Sequence, residues 1–273
     1  MKVNGSIVLI TGASSGIGAA TAKAMARTGG RVVLLARTQA ALEQVAADIS
    51  ASGGEAKAYP IDLTDAEAVA KVAKTITAQI GTPDILINNA GAGRWLFVEE
   101  TSPAEAMEMM AVPYFAAFYV TRAFLPEMLR RGSGHIVNIT SPASRIVWPG
   151  ATAYTAARWA MRGFTEALRS DLRGSGLRVT SAVMGKVRSA YWEHNLGSEE
   201  RIPKIAKLIP TLTPEQAATA IVRGVQRDAR EIVTPVMLRL IYMQHAIFPR
   251  LVEWIMSSTG WKRSQNVKGR GLP

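Results

Sequence analysis

Along most of the chain, short apolar runs alternate with longer stretches in which apolar residues recur every three or four positions. Apolar runs bounded by turn residues read as buried strands, and the three-to-four repeat reads as one buried face of a helix. The first strand covers 6–10, and glycines at 12, 16 and 18 then open a helix over 19–27 that Gly29 and Gly30 close. A second strand follows over 31–35. Thr38 caps a helix over 39–50, whose Leu42, Val45 and Ile49 lie at helical spacing. Strands over 56–59 and 84–87 bracket a helix that Thr64 and Glu67, spaced as a capping box, begin, and that runs to about Ile80.

Ser102 and Pro103 stand as cap and first residue of a long helix, in which Pro113 removes one hydrogen bond and predicts a kink. A strand over 135–139 leads to a helix that carries Tyr154 and continues to about Arg173. Its apolar Ala157, Met161, Phe164 and Leu168 belong to the core or to a subunit interface. Strands over 177–183 and 231–234 flank a helix begun by Thr213, Pro214 and Gln216. Between them, 190–211 has little periodicity, mixed charge and two prolines, and is expected to be a mobile segment over a site. The alternation predicts an α/β fold: one domain over 1–235, with a doubly wound parallel sheet and ligands at the carboxyl ends of its strands.

Residues 236–273 form an apolar helical extension with a basic tail. Arg239, His245, Pro249, Arg250 and Glu253 interrupt its apolar run, so it lacks the roughly 20 uncharged residues of a membrane span. Two short amphipathic helices separated near Pro249 are expected, with Trp254 and Trp261 beside Lys262, Arg263, Lys268 and Arg270. Such helices fit peripheral contact with a membrane surface, a cover over a substrate pocket, or packing against the domain or a second subunit.

At 273 residues the chain is long enough for one α/β domain with a sizeable core. A hydrophobic content of 48% and a mean hydropathy of +0.10 sit at the apolar end of ordinary soluble proteins. Without cysteine, disulfides, thiolate metal sites and a cysteine nucleophile are excluded together. His135, His194 and His245 form no ligand-spaced pair, so no metal is expected. A net charge of +11 suits an anionic surface or nucleic acid, and part of it lies in the tail. No nucleic-acid-binding signature accompanies it, so no nucleic-acid partner is expected. Met1 and Lys2 lead almost directly into a strand without a cleavable signal pattern, and a cytoplasmic location is the simplest expectation.

The chemistry concentrates in two places. In the turn TGASSGIG, glycines at the mouth of a helix let backbone N–H groups approach a pyrophosphate, which the helix N-terminus also attracts. About twenty residues later, where a carboxylate meets a free ribose 2′-hydroxyl, the strand ends in Arg37. Its planar cationic fork suits a 2′-phosphate, so NADP(H) is favoured over NAD(H). The second place is 141–158, SPASRIVWPGATAYTAAR. Tyr154 and Arg158, four apart, share one helix face, and a fixed positive charge beside a phenol stabilises its phenolate. Tyr154 is thereby a candidate general acid or base.

Together these motifs resemble the short-chain dehydrogenase/reductase family over residues 5–235. Ser141 and Tyr154 match the family spacing of thirteen, and Asn88-Asn89-Ala90-Gly91 is similar to the loop beneath its nicotinamide ribose. The resemblance implies a Rossmann-like fold, NADP(H) as cofactor, a substrate lid over 190–211, and homo-oligomers formed through the helices that carry Pro113 and Tyr154. It assigns Ser141, Tyr154 and Arg158 to catalysis. It assigns Gly12, Ser14, Ser15, Gly16, Ile17, Gly18, Arg37, Asp62, Leu63, Asn89, Ala90, Gly91, Tyr154, Arg158, Gly185, Val187 and Ser189 to the cofactor. Three positions depart from the pattern: Arg158 stands for Lys, Pro113 for Asn, and Met184 for the Pro before Gly185. The first functional reading is an NADP(H)-dependent oxidoreductase for a hydrophobic carbonyl or alcohol, with Trp95, Phe97, Trp148 and Trp192 in loops near the pocket. The second is a cofactor-binding protein of impaired catalysis that acts through oligomer or partner contacts.

Overall fold

A computed structural model describes residues 1–263, so Lys268 and Arg270 of the basic tail lie outside the described residues. Seven parallel strands form one sheet in the order β3-β2-β1-β4-β5-β6-β7. They are β1 (Ile7–Thr11), β2 (Arg31–Ala36), β3 (Glu55–Pro60), β4 (Ile85–Asn88), β5 (Gly134–Thr140), β6 (Leu177–Met184) and β7 (Glu231–Thr234). β1 pairs with β2 on one side and β4 on the other, so the strand order reverses there and opens a crevice beyond the carboxyl ends.

The strands are apolar on both faces because helices cover both. Val8 and Ile10 of β1 enter a core under α1 (Gly16–Arg27), α2 (Gln39–Ala51) and α8 (Pro214–Gln226). Leu9, between them, enters the opposite core under α3 (Ala66–Gln79), α5 (Ala116–Arg131) and α6 (Thr152–Asp171). Fully burying each large side chain such as Leu9, Ile10 or Phe124 stabilises the fold by roughly 1.5–3 kcal/mol.

Two local expectations are corrected. The cap of α3 is Asp65, whose carboxylate accepts from the Glu67 and Ala68 N–H groups; Thr64 instead binds Asp62. The long helix after Ser102 is broken into α4 (Pro103–Met110), a π-helical turn over Ala111–Phe115, and α5. Pro113 is buried in that turn, where the Ala116 N–H reaches back to the Ala111 carbonyl. The wider turn accommodates the missing proline donor, so the predicted kink takes the form of one π turn.

The 190–211 segment is built from α7 (Tyr191–His194) and two single 3-10 turns, Glu199–Arg201 and Lys204–Leu208. Beyond β7, α9 (Met237–Ile247) and α10 (Pro249–Thr259) separate at Pro249 as expected. Leu238, Tyr242 and Val252 on their inner faces pack on Val183, Val233 and Ile146 at the carboxyl end of the sheet. Among the described residues no helix is long and apolar enough to cross a membrane.

His135 on β5 is fully buried, and its Nε2 meets Thr180 Oγ1 at 2.7 Å. That hydroxyl donates to the Ala229 carbonyl, so Nε2 carries the proton and Nδ1 is left facing Asp228 at 3.8 Å. Burial pushes the imidazole down to about 4, against the opposing charge of Asp228. The unfolded chain takes up this proton below its ordinary value and the native protein does not, so stability falls as pH drops from about 6.5 to about 4. The loss is on the order of 3 kcal/mol. Urea melts between pH 7 and 4.5 are expected to show this decline. His135→Gln, which retains a donor toward Thr180, should flatten it.

Candidate active site

Thr11, the last residue of β1, fastens the glycine-rich turn to the loop after β4. Its Oγ1 accepts from the Asn89 and Ala90 N–H groups at 2.9 and 3.0 Å. Asn89 Nδ2 in turn donates to the Thr11 and Gly12 carbonyls at 2.9 and 3.2 Å. A Cβ on Gly12 would lie 2.9 Å from Ala90 Cα, and one on Gly18 would lie 2.1 Å from the Gly12 carbonyl oxygen. Only glycine permits that approach. Gly16, with φ +53°, faces Ser189, whose Cβ would be 3.2 Å from a side chain there. Ser15 precedes α1 in extended conformation with no capping bond from its side chain, and Ser14 and Ile17 are partly exposed beside it. The first N–H groups of α1 and the Ser15 hydroxyl are therefore placed to receive an anion.

Arg37 is exposed just past β2. Asp62 beside it is held below the usual carboxylate range by the Thr64 N–H and hydroxyl, with the Arg37 charge assisting. Leu63 is buried. After β6, Met184 is buried at the strand end, and Gly185 packs so closely that a Cβ would lie 2.8 Å from Pro235 Cδ. Val187 bridges to Leu212, and its carbonyl accepts from Trp192 Nε1 at 2.9 Å.

Tyr154 stands in the first turn of α6 and Arg158 one turn later. The Arg158 guanidinium carbon lies 4.8 Å from the Tyr154 ring centroid, a cation over an aromatic face. Arg158 is only 7% exposed, its Nε has no partner, and its terminal nitrogens lie against Gly91, where a Cβ would come within 3.1 Å. Ser141 caps the 142–144 turn, accepting from the Ala143 N–H at 3.3 Å, and Ala143 packs in the cluster that holds Tyr154. Below them a buried amide ladder joins four elements. Asn88 Nδ2 donates to Asn138 Oδ1 at 2.8 Å and to Thr121 Oγ1 at 3.1 Å, and Asn138 Nδ2 donates to Thr165 Oγ1 at 3.0 Å.

Aromatic rings wall the space at Tyr154. Trp95 lies 5.3 Å from Tyr154, 5.1 Å from Trp148 and 5.7 Å from Trp192, centroid to centroid. Phe97 is the exception: it turns away to stack under Arg201 and Arg263. Tyr191, not singled out in the sequence, belongs to the same wall. Its hydroxyl donates to the Gly93 carbonyl at 2.7 Å, and burial, with Tyr154 close by, pushes its phenol up. Asn195 and Ser198 complete the wall from outside, accepting from the Gly93 and Trp95 N–H groups at 3.1 and 2.9 Å. The expected mobile segment is thus pinned to the 93–95 loop. Only the adjacent aromatic pair Tyr191-Trp192 could have drawn attention to it in the sequence.

The sequence profile described as short chain dehydrogenase matches residues 6–200. A fatty acyl-CoA reductase from Acinetobacter baylyi is 36% identical over 258 residues, spanning 94% of this chain and 84% of that protein. A metagenomic short-chain oxidoreductase solved in complex with NADP superposes with a TM-score of 0.71 at 33% identity, covering 86% of this chain and 98% of the other. An NADPH-bound short-chain oxidoreductase from Pseudomonas aeruginosa, described as containing an atypical catalytic center, does so at 0.72 and 28% identity over 80% and 88%. With the glycine turn, the reversed strand order and the Tyr154 helix in one crevice, the match over most of its length places this chain in the short-chain dehydrogenase/reductase family.

Proposed function

We propose that the protein is an NADP(H)-dependent oxidoreductase that interconverts a hydrophobic carbonyl compound and its alcohol, with Tyr154 as the proton donor and acceptor. The observation that carries this reading is Tyr154 buried against Arg158 inside a wall of three tryptophans. The Acinetobacter relative's fatty acyl substrate and the NADP and NADPH complexes of the structural relatives support it.

The residues present fit the cofactor. The cradle of Gly12, Gly16 and Gly18 has no room for side chains, and the uncapped α1 N-terminus faces it. Arg158 Nε is a buried donor still without an acceptor, as a ribose-holding cation requires. We assign Ser14, Ser15, Ile17, Ala90, Gly91, Val187 and Ser189 to the same crevice, and Arg37 with Asp62 and Leu63 to its adenosine end. NADP(H), when bound, supplies or accepts the hydride. Ser141 accepts its local bond through oxygen, so its hydroxyl hydrogen is available to the substrate oxygen. Arg158 lies over the ring that must carry negative charge, and it keeps its own proton throughout. Gly185 and Asn89 act through the backbone they hold in place.

The reading includes a cytoplasmic homo-oligomer formed through the π turn with α5 and through α6, whose exposed Phe115, Phe118 and Trp159 suit a subunit contact. Contact with lipid rests on separate residues.

Fluorescence titration with NADPH and NADP⁺, with NADH as control, tests the cofactor. Tight binding that depends on the 2′-phosphate is expected. Arg37→Ala should weaken NADPH about ten- to a hundredfold and leave NADH little changed. No binding of either nucleotide, or no turnover across ketones, aldehydes and alcohols, would overturn the reading.

A further inference from the structure

The outer faces of α9 and α10 are apolar and exposed, while their inner faces are already satisfied. Val236, just before α9, and Leu240, Met243 and Ile247 on it follow one another at spacings of four, three and four, and each is at least 59% exposed. Phe248, Leu251 and Trp254 extend the stripe onto α10, which packs against α9. Leu208, 69% exposed, continues it on the adjoining 204–208 turn. Cations border the stripe: Arg239, Arg250, Lys204 and Lys207 are exposed and have no ion-pair partner among the described residues. Glu253 is the one acidic residue of 236–263.

We propose that α9, α10 and the 204–208 turn dock on an anionic lipid bilayer, with the apolar stripe among the acyl chains and the four cations at the phosphates. Helices that lie in the plane of a bilayer have this composition: one wide apolar face, an aromatic residue at the boundary, and basic residues beside it. A second copy of this chain fits the face less well. A two-fold contact would bring two copies of a face with four unpaired cations together, with Glu253 as the one acidic residue of 236–263 to offset them.

The face adjoins the site. A Cβ on Gly260, at the end of α10, would lie 2.8 Å from Pro149 Cδ, next to Trp148 of the aromatic wall. Arg263 and Arg201 both stack on Phe97 and pair with Glu99 and Glu100, joining the extension to the 190–211 segment. A bilayer at α9 and α10 therefore lies against the elements that cover Tyr154, where an apolar substrate leaves the lipid phase beside the pocket. The docking surface stands whether or not the oxidoreductase reading does, because its test requires no turnover.

The full-length protein is sedimented with phosphatidylcholine vesicles, with and without phosphatidylserine, at low and high salt. Binding to the phosphatidylserine vesicles that weakens with salt is expected. Arg250→Gln should weaken it about fivefold and Leu240→Glu at least about tenfold, with thermal melting and NADPH titration as checks on the fold. Brominated acyl chains should quench wild-type tryptophan fluorescence, and Trp254→Phe should remove part of that quenching. This second readout holds if Leu240→Glu proves unstable. Failure of the wild-type protein to bind phosphatidylserine vesicles at low salt would overturn the proposal. So would binding indifferent to Leu240→Glu and Arg250→Gln, or a dimer that Leu240→Glu dissociates in a protein without vesicle affinity.

Discussion

Tyr154→Phe is expected to lower kcat by about 10²–10⁴-fold while NADPH affinity changes by less than about threefold. The substitution removes one oxygen and leaves the ring, which touches Trp95 and supports the Arg158 guanidinium. Packing is retained, so the loss isolates proton transfer. Tyr191→Phe is the control. Tyr191 donates to the Gly93 carbonyl, and burial with Tyr154 nearby holds it in the protonated phenol form. It is expected to cost turnover far less, through a loosened 93–95 loop. The measurement is steady-state NADPH oxidation with the best carbonyl substrate from a panel, beside fluorescence titration of each variant. Retained turnover in Tyr154→Phe together with its collapse in Tyr191→Phe would exchange the roles of the two phenols.

The fold and the tight glycine-rich turn were legible in the sequence because their signals are local. A glycine that must admit a close neighbour is written as glycine: a Cβ on Gly12 would meet Ala90, one on Gly16 Ser189, and one on Gly18 the Gly12 carbonyl. The strands followed from uninterrupted apolar runs, since both sheet faces are covered. What the sequence withheld depends on contacts between distant segments. Asn195 and Ser198 serve loop amides about a hundred residues away, and nothing in their neighbourhood announces it. Phe97 shared the apolar loop character of Trp95 yet turned to Arg201 and Arg263, partners set by tertiary packing. Pro113 predicted a break but not its kind, because a π turn and a bend answer the same missing donor. Asp65 displaced Thr64 as the α3 cap because its carboxylate reaches two N–H groups, whereas the Thr64 hydroxyl was drawn to Asp62.

Arg158→Met is expected to lower kcat/KM by about 10²–10³-fold, and Arg158→Lys by about tenfold or more. Methionine fills the volume and removes the charge, so phenolate at Tyr154 loses the cation over its ring and the crevice loses the buried Nε donor. Lysine keeps the charge but not the plane. The guanidinium carbon lies over the Tyr154 ring, and its terminal nitrogens lie against Gly91, where an added Cβ would come within 3.1 Å. A point ammonium in that slot would not hold both neighbours at their present separation, and a displacement of about 1 Å at the reacting groups is worth about a hundredfold in rate. Gly91→Ala tests the same slot from the opposite side. Its Cβ, 3.1 Å from a terminal nitrogen, should lower activity when arginine fills the slot. Combined with Arg158→Lys, the same substitution should cost less than it does alone, because the narrower ammonium leaves room for the added methyl. The decisive comparison is kcat/KM and NADPH affinity for wild type and the Arg158→Lys variant. A loss in Arg158→Lys means that Gly91, Tyr154 and the aromatic wall are shaped around arginine. A large gain would mean that the arginine impairs a lysine-type site, and would favour the reading in which the protein binds NADP(H) with little turnover.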